Sequence, residues 1–162
     1  KGYGHYLSLG ESKVYLYSDM TENFNAWLKK SNQMVLKRNR VFDYSNKDYF
    51  MRYNTGNFEI IISSPELAIM EMLYLVPQDQ SFDESLKIME GLTTLRPKII
   101  QGLLETSKSV KVKRLFLFMA DKSQHLWLKD LDLNKINLGK GKRMIVENGL
   151  WDNKFLITYP RS

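Results

Sequence analysis

The chain has 162 residues, of which 43% are hydrophobic, and a formal net charge of +6. This length and composition fit one domain with a single core, and the charge favours anionic partners. The absence of cysteine excludes a disulfide framework and a thiolate zinc site. No apolar run approaches the ~20 residues that a membrane span needs, so we expect a cytoplasmic protein without a membrane partner.

The N-terminal part is predicted to consist mainly of strands. Residues 14–17 are β-prone, residues 22–30 carry the spacing of a short helix, and residues 34–42 and 49–53 again favour strands. A polar turn at residues 54–57 leads into residues 58–62, which are rich in β-branched side chains. This last segment therefore predicts a buried strand.

Two helices with clear boundaries are predicted next. Ser64 is a suitable N-cap followed by Pro65 at the first helical position, and this helix should end before Pro77. A capping box begins at Ser81 and opens a second helix, which Gly91 should end.

A third helix is predicted to begin at Pro97, because apolar residues recur on one face of the segment that follows. Residues 110–119 leave two structures open. Their apolar spacing fits a fourth helix, whereas the alternation at residues 110–113 and the continuous apolar run after it fit a strand.

The chain is predicted to close on a β-hairpin, in which residues 143–146 pair with residues 150–159 around Asn148-Gly149. The predicted fold class is therefore α+β, with a mixed or antiparallel sheet built from N- and C-terminal strands and a central group of about four helices. No linker interrupts the chain, so residues 1–162 are predicted to form one domain.

Basic residues are concentrated in the third and fourth predicted helices. Between Arg96 and Arg114 there are six basic residues and one acid, Glu105. Such a cluster can bind a polyanion or an acidic protein face, and it can equally be the solvated side of amphipathic helices. Few aromatic side chains lie among these cations, which favours contacts with phosphate or carboxylate groups over base stacking.

The sequence gives little support for covalent catalysis or for metal binding. His5 and His125 are the only histidines and lie far apart in sequence, so neither a metal site nor a cofactor is predicted. An enzymatic function remains an alternative because of one acidic pair, Asp130 and Asp132. On a strand both side chains would face one side and could hold Mg²⁺, as in a nucleotidyltransferase or nuclease. The Gly-Ser dipeptide of a nucleotidyltransferase is missing upstream.

Several motifs together resemble the AbiEi family of antitoxins. They are SPELA at residues 64–68, MEGLTTLRP at 89–97, SVKVKRLFL at 109–117 and LGKGKR at 138–143. The resemblance implies the C-terminal domain of a regulator that opposes a nucleotidyltransferase-like toxin in type IV toxin–antitoxin loci for phage defence. It also implies promoter DNA as a partner, bound mainly through an N-terminal winged-helix domain that is expected to be absent from this sequence.

The function expected from these observations is that of a non-enzymatic antitoxin and transcriptional regulator whose basic surface assists DNA binding. The candidate residues for DNA or partner binding are Arg96, Lys98, Lys111, Lys113, Arg114, Lys142 and Arg143. The alternative is the metal-dependent enzyme that uses Asp130 and Asp132.

Overall fold

The computed structural model describes residues 13–18, 33–38 and 40–161. Its strands are β1 (Val14–Ser18), β2 (Met34–Arg38), β3 (Phe50–Asn54), β4 (Glu59–Ser63), β5 (Arg143–Met144), β6 (Leu150–Asp152) and β7 (Ile157–Tyr159). The α-helices in the described ranges are α1 (Pro65–Leu75), α2 (Phe82–Gly91), α3 (Pro97–Thr106) and α4 (Val110–Lys122). The α+β class is thus confirmed, and the short helix predicted at residues 22–30 lies outside the described residues.

The helices begin where their caps predict. The Ser64 hydroxyl accepts a hydrogen bond from the Leu67 amide, and the Ser81 hydroxyl accepts one from the Glu84 amide. Such bonds satisfy amide groups that the first helical turn leaves without a partner. Ser109 caps α4 in the same way, so the helical interpretation of residues 110–119 is confirmed and the strand interpretation is wrong.

Helix α4 lies at the centre of the core. Every residue from Val112 to Ala120 is buried, and the helix packs against α1 and α2. Aromatic contacts join α4 to the C-terminal strands, for example that of Phe118, whose ring centre lies 4.8 Å from that of Tyr159 in β7. The helical centre predicted from sequence is therefore the hydrophobic core of the described structure. No helix in the described ranges is long and apolar enough to cross a membrane.

The described strands form three small sheets rather than one sheet from both ends of the chain. β1 and β2 are parallel, and β3 and β4 form an antiparallel hairpin around the predicted turn at residues 54–57. The C-terminal sheet has the order β5-β7-β6. The hairpin predicted around Asn148-Gly149 is wrong, because β5 pairs with β7 in parallel and the antiparallel pair is β6 with β7.

The burial predicted for residues 58–62 is also wrong. Ile61 is 75% exposed and Phe58 is 62% exposed. Phe50 packs against the helical core and Ile62 and Ser63 are half-buried, whereas the rest of the hairpin is exposed. A β-branched run thus predicted the strand correctly but not its environment, which depends on the elements packed around it.

Candidate functional site

Arg114 is a buried arginine that holds a loop against α4. The residue is 1% exposed. Its Nε donates to the Leu138 carbonyl at 2.8 Å, Nη1 donates to the carbonyls of Gly141 at 2.7 Å and Leu156 at 3.0 Å, and Nη2 donates to that of Gly139 at 3.2 Å. The planar guanidinium carries several diverging donors, so one side chain can satisfy four carbonyl oxygens.

The loop that Arg114 holds consists of residues 137–143 and has three exposed basic side chains. Gly139 and Gly141 have φ angles of 66° and 79°, a conformation that glycine adopts without strain. A Cβ at Gly139 would also lie 3.0 Å from Val110, so the loop approaches the first turn of α4 closely. Lys140, Lys142 and Arg143 are exposed on this loop.

Two more of the predicted binding residues, Lys113 and Lys111, donate hydrogen bonds to backbone carbonyls of the protein itself. Lys113 is 4% exposed, and its Nζ donates to the Asn137 carbonyl at 3.2 Å. Lys111 Nζ donates to the carbonyls of Tyr74 at 2.8 Å and Val76 at 2.6 Å, where α1 ends. A cation at this position satisfies terminal carbonyls and complements the helix dipole. Burial lowers the pKa of both lysines.

Arg96 forms a two-pronged ion pair with a buried acid. Its Nε lies 3.0 Å from Glu66 Oε1 and its Nη2 lies 2.9 Å from Oε2, while the Arg96 amide also donates to Oε1 at 2.9 Å. Glu66 is 2% exposed, whereas the Arg96 side chain is 56% exposed. Burial opposes the charged carboxylate, but the hydrogen bonds from Arg96 prevail and lower the pKa of Glu66 to about 2. The pair joins the start of α1 to the start of α3.

The seven candidate residues therefore occupy three places. Arg96 and Lys98 lie at the start of α3, and the ammonium group of Lys111, in α4, contacts the end of α1. Lys113 and Arg114 contact the loop of residues 137–143, and Lys142 and Arg143 belong to it. Four of the seven are exposed, namely Arg96, Lys98, Lys142 and Arg143, and we call these four the exposed basic set. A binding role for the candidates remains a prediction.

Lys142 has an aromatic neighbour that sequence spacing does not indicate. Its Nζ lies 5.1 Å from the centre of the Trp151 ring in β6. This distance is within the range of a cation–π contact, which is attractive because the ring face is electron-rich. The contact connects the loop to the C-terminal sheet and holds the lysine at the surface.

Glu71 is a buried acid that the sequence analysis did not single out. It is 4% exposed, and its Oε2 accepts a hydrogen bond from the Ser63 hydroxyl at 2.8 Å. Burial raises the pKa of Glu71 to about 7, and the hydroxyls of Ser63 and Tyr44 offset this only in part. The signal available in the sequence was the position of Glu71 within the apolar run of α1.

We expect Glu71→Gln to remove a pH dependence of stability. Because the pKa is about 7 in the folded protein and near 4.5 when unfolded, folding favours the protonated acid. The wild-type free energy of unfolding should fall by about 3 kcal/mol as the pH rises from 4.5 through 7. Urea unfolding at pH 5 and pH 8 measures this change. An equal decrease in the glutamine variant would contradict the assignment to Glu71.

The predicted catalytic pair does not lie on a strand. Asp130 ends a 3-10 helix (Leu126–Asp130), and Asp132 caps another (Leu133–Lys135). Asp132 accepts a hydrogen bond from the Asn134 amide and pairs with Lys135 at 3.5 Å. Both acids are exposed, and the described residues contain no group of three or more histidine, cysteine or acidic side chains suited to a metal ion. The strand geometry that motivated the enzymatic alternative is therefore not found.

His125, the histidine within the described part, has a structural contact. Its Nε2 lies 2.7 Å from the Met89 carbonyl, and its ring stacks on that of Trp127 at 4.9 Å. Trp127 in turn donates to the Leu92 carbonyl at 3.0 Å. These bonds satisfy carbonyls at the end of α2. His5, the second histidine, lies outside the described residues.

The fold is of the α+β class, and the described residues contain no group of three or more potential metal ligands. The family model described as "Transcriptional regulator, AbiEi antitoxin, Type IV TA system" matches residues 11–160. Since the match spans nearly the whole sequence, the chain belongs to the AbiEi family of antitoxins and transcriptional regulators of type IV toxin–antitoxin systems. Neither the curated proteins nor the solved structures contain a match to it.

Proposed function

We propose that this chain is the antitoxin of a type IV phage-defence system, that it counteracts a nucleotidyltransferase-like toxin, and that it does so in the cytoplasm and without an enzymatic activity of its own. The observation that carries the proposal is the family match over residues 11–160. The whole of residues 1–162 acts as one antitoxin domain.

The exposed basic set is the part of the molecule proposed to meet an anionic partner. Lys98, Lys142 and Arg143 form no ion pair with any described residue, so their charges are available. Arg96 keeps more than half of its side chain exposed although it pairs with Glu66. Lys113 and Arg114 contribute indirectly, because they hold the loop that carries Lys142 and Arg143, and Lys111 holds the end of α1.

Growth rescue tests the antitoxin role. The chain is expressed from one promoter, and the nucleotidyltransferase-like protein encoded beside it is expressed from a second, inducible promoter. We expect cells to resume growth when the chain is induced after the toxin. Continued arrest, with the chain folded and present in the cells, would remove the antitoxin role.

For DNA, we expect only an accessory contact with phosphate groups. Binding of the chain to a promoter fragment should weaken steeply with salt, and Lys98→Gln/Lys142→Gln/Arg143→Gln should reduce the slope of log K against log salt by about 2 to 3, because each phosphate contact contributes about 0.9. Fluorescence anisotropy at several salt concentrations measures the slope.

The matched control is Lys47→Gln/Lys87→Gln/Lys129→Gln, which removes the same charge from three other exposed lysines. Its slope should stay close to that of the wild type. Equal slopes for the two triple variants would show that net charge, rather than the exposed basic set, determines the contact.

A further inference from the structure

An open cleft lies between the segment that precedes β3 and the end of α3. It is formed by residues 40–45 and by Thr106 and Lys108 at the end of α3, and its volume is about 560 Å³. Ligand pockets commonly measure about 300 to 1,000 Å³. The cleft is separate from the loop of residues 137–143, and no sequence motif indicates it.

The walls of the cleft are held by the core. The Lys108 amide donates to the Val41 carbonyl at 2.9 Å, which ties the two walls together. Phe42 is 6% exposed, and its ring meets the edge of the Tyr44 ring at 6.4 Å. The polar groups of the cleft are therefore carried on backbone that is already fixed, which reduces the cost of ordering them around a ligand.

Two cations, Arg40 and Lys108, line the cleft together with one carboxylate, Asp43, whose charge interacts with that of Lys108. Arg40 and Lys108 are both exposed, and neither forms an ion pair with a described residue. Arginine binds phosphate oxygens in a two-pronged geometry, and lysine adds a compact charge. An anionic group of a ligand is the natural partner of this pair.

Asp43 adds an acceptor to the same cleft. Its Oδ1 accepts hydrogen bonds from the Ser45 amide at 2.9 Å and the Ser45 hydroxyl at 2.6 Å. These two bonds, with a smaller contribution from the charge of Lys108, lower the pKa of Asp43, so it is ionised at neutral pH. Its Oδ2 makes no hydrogen bond within the described part of the chain and remains open to a donor. A ligand for this cleft therefore carries an anion and, beside it, hydrogen-bond donors.

We propose that this cleft binds a free ribonucleotide, with the phosphate on Arg40 and Lys108 and the ribose hydroxyls donating to Asp43 Oδ2. A carboxylate that accepts from ribose hydroxyls is a recurrent element of nucleotide recognition. Inorganic phosphate satisfies the cations but supplies no ribose hydroxyls to Asp43, and a ligand with several carboxylates meets repulsion from Asp43. The inference is independent of the antitoxin role.

Calorimetric titration of the purified chain with AMP tests the site. We expect saturable binding that weakens at least about tenfold in Arg40→Gln and in Lys108→Gln, as is typical for the loss of a charged hydrogen bond. Lys129→Gln removes an exposed charge elsewhere and should bind AMP as the wild type does. Absence of binding at millimolar AMP, or equal binding by all variants, would overturn the proposal.

A second set of titrations tests the contact between Asp43 and the ribose. Wild-type protein should bind 2′,3′-dideoxy-AMP and inorganic phosphate about tenfold more weakly than AMP, and Asp43→Asn should lose the preference for AMP over the dideoxy compound. Asparagine retains the Oδ1 acceptor for Ser45, and a thermal melt checks that the variant is folded. Equal affinity of the wild type for the two nucleotides would overturn the role of Asp43. Tighter binding of a 5′-phosphorylated oligoribonucleotide than of AMP would overturn the assignment to a free nucleotide.

Discussion

Arg114→Met is expected to lower the free energy of unfolding by about 3 kcal/mol, because carbonyl groups that lose a buried partner cost about 1–3 kcal/mol each and the loop can rehydrate some of them. Four carbonyls depend on this one guanidinium. Methionine has a similar volume, so the change isolates the hydrogen bonds from the packing. Urea unfolding at pH 7 measures the loss.

Two further variants make the Arg114 result specific. Arg114→Lys keeps the charge but cannot reach four diverging carbonyls, so it should recover only a minor part of the stability. Lys129→Met removes an exposed cation and should change stability by less than about 0.5 kcal/mol. If Arg114→Met were as stable as the wild type, the buried arginine would not be what holds the loop of residues 137–143.

The second large effect is expected at Arg96. Arg96→Ala leaves the carboxylate of Glu66 buried without its partner, and removing one partner of a buried pair costs about 3–5 kcal/mol. Since the Arg96 side chain is half exposed, solvent screens the pair and the lower end of this range applies. We therefore expect a loss of about 3 kcal/mol at pH 7.

The pH dependence of the Arg96 effect follows from the pKa of Glu66. The pKa is about 2 in the folded protein and near 4.5 when unfolded, so the pair stabilises the fold above pH 4.5 and this contribution is lost as the pH falls through 2. The difference between wild type and Arg96→Ala should therefore shrink from pH 6 to pH 3. A difference that stays constant over this range would contradict the ion-pair account.

A double variant separates the two roles of Arg96. Glu66→Gln/Arg96→Met removes both charges and should recover much of the stability that Arg96→Ala loses, because no buried carboxylate is left unpaired. It should not recover any binding to an anionic partner that uses the Arg96 charge. Stability measurements and binding measurements on the same sample distinguish these outcomes.

The helix boundaries could be predicted from sequence because they depend on local chemistry. Ser64 with Pro65, Ser81, and Pro97 each begin a helix in the described structure where their side chains predict it. A cap satisfies amides one turn away, and proline acts through its own ring, so neither depends on distant residues. The helix at residues 110–119 needed tertiary information, because its apolar run fits either structure.

The roles of the cations could not be predicted in this way. Arg114 donates hydrogen bonds to carbonyls that lie 24 to 42 residues further along the chain. Those carbonyls come close together only when the loop of residues 137–143 and β7 have folded. The available signal was the setting of Arg114 between Val112 and Leu115, in a helix that is apolar on most sides. A charged residue in such a helix is buried and needs partners.

The pairing of the last strands was mispredicted for a related reason. Asn148-Gly149 is a favourable turn sequence, and Asn148 does have a positive φ of 54°. However, β5 pairs in parallel with β7, and Thr158 in β7 accepts a hydrogen bond from the Ile145 amide. Local turn chemistry predicted a bend correctly, but the choice of partner strand depends on packing against the core.

The exposed basic set is most directly tested by growth rescue with Lys98→Gln/Lys142→Gln/Arg143→Gln and the control Lys47→Gln/Lys87→Gln/Lys129→Gln. Both triple variants change only exposed side chains, so both should fold, and circular dichroism verifies this. We expect the control to restore growth to toxin-arrested cells as the wild type does, and the first variant to fail at equal expression. Full rescue by the first variant would contradict the proposal that the antitoxin acts through an anionic partner bound by the exposed basic set.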